Sequence, residues 1–276
     1  MPPLKIEDSR YSLPNSQLER PAVVQLGQPP RSEPLFPIVH EDEDLLVINK
    51  PSDLVCHPTK GDAFSSLISR VRIYLGPSHH PHLVNRLDRE TTGLVLVAKT
   101  DRAALEIRQL WESGAVTKVY EAIVHDAFGP GTRQVNAPLG KDEQSPVAIK
   151  NRVRADGAPA VTHFETLSEF ARGGRRFSWV RARPLSGRKH QIRIHLAHLG
   201  HPIVGDKIYG PDPLCYLDFV RGALSREQRE ALVLENHALH AGQLTFSWRG
   251  RQFGFAAQPE AWFLDFLRPE MCHDPG

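Results

Sequence analysis

The 276-residue sequence is poor in sulfur, with three cysteines and two methionines. Cys56, Cys215 and Cys272 are scattered, odd in number and without CxxC spacing. That arrangement argues against a disulfide framework or a zinc knuckle and for reduced thiols in the cytoplasm. No apolar run approaches the ~18–20 residues a membrane helix needs, and MPPLKIEDSR lacks the charged-then-apolar layout of a secretory signal. No GxGxxG follows a strand and no P-loop occurs, so a nucleotide cofactor has no cradle. There is no GxSxG elbow, and Cys56 and His57 cannot make a nucleophile–base contact by adjacency alone. Fourteen histidines invite a metal reading. Yet among His190, His195, His198 and His201 no two are four apart, and no acid or cysteine lies between them. His195 and His198, three apart, could pair, against a polar helix face that touches phosphates. Neither a metal nor a cofactor is expected.

Hydrophobic residues at 40% and charged residues at 24% are ordinary for a soluble globular protein. The chain is long enough for one large domain or two small ones. Net charge is only +2, but its distribution is uneven. From Lys150 to Arg193 eleven basic residues face only Asp156, Glu165 and Glu169, a local excess of +8. A basic face fits a polyanion partner; a solvated arginine-rich surface is the plain alternative.

Residues 1–36, rich in Pro, Ser, Gln and charge, read as a mobile tail or arm. A single folded domain is expected over 37–276. It begins with PIVHEDEDLLVINKP, a strand, an acidic turn and a second strand at Leu45–Asn49 that Pro51 stops. Phe64, Leu67, Ile68 and Val71 recur at helical spacing in a short helix from Phe64 to Tyr74. Thr100 is placed to cap a helix over Asp101–Ser113 that Gly114 ends. VTKVYEAIVHD reads as a strand with Tyr120 beside Ala122 and Val124 on one face. Ala160–Phe170 and Phe177–Pro184 read as a hairpin across Ala171–Arg176. Ile192, Leu196 and Leu199 give GRKHQIRIHLAHLG a core-facing helix stripe, with Arg193 off that stripe and free to reach a partner or solvent. A loop and helix over 211–235, a late strand at His237–Trp248 and a closing helix at Ala261–Leu267 complete an α+β domain with a mixed sheet flanked by helices.

The most informative stretch is HLVNRLDRETTGLVLVAK, His82 to Lys99. Asp88 stands between Arg86 and Arg89, followed by Thr91-Thr92-Gly93 and the buried-strand run Leu94–Ala98. An acid between arginines in a turn is ordinarily an ion pair or a turn cap. Asp88 and Glu90 could also serve as a carboxylate pair for glycosidic chemistry.

Three ordered segments together resemble the RluA-type family of RNA pseudouridine synthases. NRLDRETTGLVLVAK is similar to its catalytic-aspartate motif, KVYEAIV to its tyrosine strand, and GRKHQIRIHLAHLGHPIVGDKIYG to its third motif. LLVINKPSDLVCHP is similar to its start. The resemblance covers Pro37 to Leu267 and implies a mainly antiparallel pseudouridine synthase fold over 37–276. It implies Asp88 as the catalytic carboxylate, Arg193 as its ion-pair partner and Tyr120 as a flat platform whose hydroxyl assists proton removal. Arg86 would contact RNA, and Arg89, Arg188, Lys189 and His190 are expected to do so too. Asn85 stands where the family usually has His, Thr92 where Ser is commoner, and Asp53 where Gly is usual. The reaction implied isomerises uridine in rRNA or tRNA within one cytoplasmic monomer. The other readings are a non-catalytic RNA-binding protein of the same fold, or a glycoside or nucleoside hydrolase with Glu90 as its second acid.

Overall fold

The computed structural model describes residues 36–58 and 66–268. The tail expected over 1–36 (apart from Phe36), Phe64 of the first helix and Cys272 lie outside the described residues.

The chain opens with β1 (Ile38–Glu41) and β2 (Leu45–Lys50), then α1 (Leu67–Leu75), β3 (His82–Leu83), β4 (Thr92–Ala98) and α2 (Asp101–Glu112). Next come β5 (Thr117–His125), β6 (Thr132–Asn136), β7 (Leu139–Lys141), β8 (Asn151–Val153) and the long hairpin of β9 (Val161–Arg172) and β10 (Arg175–Pro184). The last third holds α3 (Gln191–His198), α4 (Cys215–Val220), α5 (Arg226–Leu232), β11 (Leu239–Trp248), β12 (Arg251–Ala256) and α6 (Ala261–Leu267). One mixed sheet runs β1-β2-β4-β11-β5-β10-β9-β6, with β3 added on β4 and β12 on β11, while β7 and β8 pair separately. Among the described residues, only the β4–β11 pairing is parallel. The fold is the α+β arrangement expected, mainly antiparallel and flanked by helices.

Alternation along β4 sets the layers. Val95 and Val97 pack with Leu67, Ile68 and Val71 of α1. Leu94, Leu96 and Ala98 point the other way, into a cluster with Ala103, Ala104 and Ile107 of α2. All seven β4 residues are buried, and each large side chain contributes roughly 1.5–3 kcal/mol through its removal from water. Thr100 caps α2, its Oγ1 accepting from the Ala103 amide at 3.2 Å.

Several boundaries differ from those the sequence pattern predicts. The β9–β10 turn is only Gly173-Gly174, both at positive φ, so the strands run further than the polar residues around the turn suggest. The 211–235 region holds two short helices, and β12 follows Trp248 across the tight turn Arg249-Gly250, both at positive φ. The strands β6 to β8 are short and largely polar-edged, which leaves them little periodic signal.

Candidate active site

The loop joining β3 to β4 is irregular and clamped at nearly every residue. Asn85 sits beside β4, its Nδ2 donating to Leu94 O at 3.0 Å and its Oδ1 accepting from Leu96 N at 2.8 Å. Leu87 exchanges hydrogen bonds with the buried Cys56 thiol through both its amide and its carbonyl, at 3.4 Å. The fully buried Lys50 ammonium at the end of β2 donates to Arg89 O at 2.9 Å and to Pro51 O at 2.7 Å. Burial pushes that ammonium down to about 8. Glu90 accepts from Lys207 Nζ at 2.8 Å and from His237 N at 3.1 Å. Lys207 also donates to Glu235 O. Thr91 Oγ1 lies 2.7 Å from His237 Nε2. Gly93, at φ +109, is where β4 meets β11: a Cβ there would run into the Ala241 backbone. With its neighbours held, the loop leaves Arg86 exposed and the Asp88 side chain 31% exposed, both lining an open cleft of about 980 Å³.

Arg193, on α3, is 4% exposed, so that of the two options left by the helix pattern it meets a partner and not solvent. The helix is buried from Gln191 to Leu196, so a position off the apolar stripe still faces protein. Its Nη1 donates to Asp88 Oδ2 at 2.6 Å, while Nε and Nη2 fork onto Asp206 at 2.7 and 2.8 Å. Asp206 Oδ1 also accepts the Ile208 and Tyr209 amides at 2.9 and 3.0 Å. The guanidinium lies over the Tyr209 ring, 5.1 Å from its centre. A planar fork fixed by one carboxylate thus presents its third nitrogen to the other.

Burial opposes ionisation of Asp88. Burial is the largest single influence, but the Arg193 charge, smaller contributions from His190 and His237 and the Arg193 hydrogen bond together outweigh it, and the carboxyl is held below its usual range. Burial likewise opposes the Asp206 carboxylate, which Arg193 nonetheless drives well below that range. In Glu90, hydrogen bonds and charge from His237 and Lys207 overcome burial and bring the carboxyl to about 2.

His190 caps the start of α3 in the left-handed region at φ 58, a strained choice for a residue other than glycine. Its Nδ1 is 2.9 Å from the Tyr209 hydroxyl, whose oxygen accepts from Asn151 N at 3.1 Å. His190 Nε2 stands 3.7 Å from Asp88 Oδ1, beyond hydrogen-bond length. Burial, then the Arg193 charge, lower His190 to about 4. Expected among the RNA contacts, His190 is a buried neighbour of the Asp88 carboxylate, its side chain 6% exposed.

Tyr120 lines the same cleft, and its hydroxyl has no hydrogen-bond partner among the described residues. Burial and then the Asp88 charge raise it to about 12. Three segments distant in sequence thus place Asp88, Tyr120 and Arg193 around one opening. Arg188 and Lys189 are exposed at its edge. Arg89 pairs with Asp53 at 3.4 Å, and Asp53 itself sits at φ 61, the kind of position glycine fills without strain.

The basic run does not form one free face. Arg152 pairs with Asp142, Arg154 with Glu143 and Asp156, and Arg181 and Arg183 with Glu165. Arg175 caps Glu230 O, and Arg172 caps Asp265 O and Phe266 O. Acids and carbonyls distant in sequence neutralise much of the local excess. His195, weighed beside His198 as a metal pair, instead bonds Thr162 Oγ1 at 2.9 Å and Ala137 O at 3.0 Å in the core. Asp206, Tyr209, Lys207 and the anchoring role of Lys50 escape sequence reasoning. The acidic residue in GDKIYG is visible there, but its partner is thirteen residues back.

Residues 44–198 match the family model described as RNA pseudouridylate synthase. An uncharacterised RNA pseudouridine synthase of Bacillus subtilis (strain 168) is 32% identical over 222 residues, 78% of this chain and 66% of the relative. Ribosomal large subunit pseudouridine synthase D of Salmonella typhimurium (strain LT2) is 38% identical over 64% of this chain and 53% of its own length. The chain thus spans about half to two thirds of the curated relatives it matches. Among solved structures, human RNA pseudouridylate synthase domain containing 1 superposes with a TM-score of 0.66 at 25% identity, covering 84% of this chain and 86% of that one. Human RNA pseudouridylate synthase domain containing 4 gives 0.63 at 27% identity, over 83% and 90%.

Proposed function

The chain belongs to the RluA-type RNA pseudouridylate synthase family, and from that premise we propose that it isomerises uridine in structured RNA to pseudouridine through Asp88. The observation that carries this reading is the state of one carboxylate. Asp88 is ionised by Arg193, aimed by it, and still open to the cleft. The isomerisation breaks the bond between ribose C1′ and uracil N1, turns the base, joins C5 to C1′ and moves the C5 proton off the ring. Redox state and overall composition do not change, so the tools required are a carboxylate, a base platform and a way to keep the original bond from re-forming.

The ionised Asp88 either attacks C1′ or takes the ribose 2′ proton; both routes need the same charged oxygen within reach of one sugar. Arg193, already fixed by Asp206, holds that oxygen in place, which favours reaction by orientation. Tyr120 offers its ring to the uracil. With its phenol protonated up to about 12, its hydroxyl acts as a neutral hydrogen-bonding group and not as a phenolate. His190, neutral at physiological pH by its value of about 4, packs beside the second Asp88 oxygen at 3.7 Å.

A uridine stacked in RNA must leave the stack to reach Asp88, at a cost of a few kcal/mol. Arg86, exposed on the rim beside Asp88, takes up the space it vacates. Ribosomal RNA is the first substrate to test, because several relatives carry large-subunit names. Hydrolysis by an Asp88–Glu90 pair is disfavoured, since Glu90 turns away from the cleft onto Lys207 and His237.

RNA carrying tritium at uridine carbon 5 tests the proposal. Wild-type protein releases the label with formation of pseudouridine, and Asp88→Asn does not. Equal release by both, or free uracil as product, would overturn it.

A further inference from the structure

The cleft that holds Asp88 is also lined by a cation with no anion. Lys118 on β5 is 9% exposed and lines the cleft. Its ammonium has no hydrogen bond or ion pair to any described residue. The Trp111 indole at the end of α2 lies beside it, with its ring centre 5.8 Å from Nζ. Burial alone shifts the Lys118 ammonium downward, with no carboxylate opposing it. Arg108, on α2 with Trp111, and Arg72, on α1, are further cations lining the cleft, both exposed. His82, on β3, is already bonded to Asp101 at 2.6 Å. The other buried cations of the site each have an acid or carbonyls to hold: Arg193 has two carboxylates, Lys207 has Glu90, and Lys50 has two carbonyls.

The ammonium is held only by its approach to an indole face, a weaker contact than an anion would give. Its position supplies the context. Lys118 and Tyr120 are two apart on one strand, roughly 6.5–7 Å along it, and both line the cleft. The cation therefore lies beside the platform assigned to the target uracil, about one nucleotide away along the cleft.

We propose that Lys118, Trp111 and Arg108 form a second nucleotide subsite. Lys118 and Arg108 take a backbone phosphate adjacent to the target uridine, and the Trp111 face takes the neighbouring base. The subsite rests on the RNA reading above and deepens it: the protein holds at least two nucleotides of an opened strand, one on Tyr120 and one on Trp111. An aromatic platform next to phosphate-binding cations is the pattern by which single-stranded nucleic acid is held. Lys118 acts on binding and not on the bond being broken.

The test uses the full chain and ribosomal RNA from cells lacking this protein, labelled with tritium at uridine carbon 5, with RNA binding followed by filter retention. Lys118→Met raises KM about tenfold with kcat within about twofold, and Lys118→Arg restores KM. The slope of log affinity against log salt falls in magnitude by roughly 0.7–0.9, the share of a single phosphate that the variant no longer neutralises. Trp111→Leu weakens binding roughly tenfold with an unchanged salt slope, and Trp111→Phe restores it. Folding is not the obstacle, because the Lys118 side chain makes no hydrogen bond or ion pair to a described residue that Met would break, and the thermal midpoint stays near wild type. Unchanged KM and salt slope in Lys118→Met, or a loss confined to kcat, overturns the subsite. Failure of the function itself reads differently: wild type then releases no tritium, while the salt slopes still report on Lys118.

Discussion

Asp88 and Glu90 are two residues apart on one loop and have opposite fates. Asp88 faces the cleft with one oxygen on Arg193 and its side chain 31% exposed. Glu90 turns inward, 11% exposed, and both oxygens are taken by Lys207 and the His237 backbone. Both carboxyls are held below their usual range. A depressed pKa therefore does not separate a carboxylate that does chemistry from one that holds a loop. What separates them is whether a charged oxygen remains within reach of a substrate. On that criterion the cleft side of the loop is the reactive side and the core side is its support.

The comparison can be broken most severely at Arg193, which belongs to both sides. Arg193→Met should leave Asp206 buried without its partner and cost about 3–5 kcal/mol, read as a drop in the denaturation midpoint. The folded fraction should also lose tritium release, since Asp88 is no longer aimed. Glu90→Gln should act on the core side alone, lowering stability by about 3 kcal/mol in urea denaturation. Acid should expose the same support. Glu90 is depressed in the folded state, so its stabilisation is present above its usual 4.5 and is lost as pH falls toward about 2. His190, lowered from 6.5 to about 4, binds a proton more readily when unfolded. Its contribution therefore declines as pH falls from 6.5 to 4, and denaturation midpoints across pH 7 to 3 should show both declines. Asn85→Ala removes two hydrogen bonds between loop and β4 and should cost about 1–2 kcal/mol with a larger KM for RNA. Tyr120→Phe is the mildest: the ring stays, and kcat should fall less than about tenfold, within the lower range of one acid–base contribution. A far larger loss would assign the hydroxyl a direct part in proton transfer.

Sequence is most legible where its signals are local. The Thr100 cap, the β4 run and the helix Ala261–Leu267 can be read directly because capping and periodicity act within a few residues. Asp88, Tyr120 and Arg193 are legible as a set only through the family resemblance, and the fold places all three around one cleft. What is illegible depends on pairing across the chain. The excess of +8 from Lys150 to Arg193 leaves out Asp142, Glu143 and the carbonyls that Arg172 and Arg175 meet. Asp206 sits in the GDKIYG motif, yet only the folded helix brings the Arg193 fork onto it. Asn85, in sequence a departure from the family pattern, is in the structure the clamp between the loop and β4.

The most direct measurement compares Asp88→Asn with Glu90→Gln, counting tritium released from uridine carbon 5 per folded molecule. Asp88→Asn should be folded, as stable as wild type or nearly so, and inactive. Glu90→Gln should be less stable, yet release label at a rate near wild type once the folded fraction is taken into account. Label release by Asp88→Asn, or a Glu90→Gln protein that is well folded and equally dead, would contradict the division of labour between the two carboxylates.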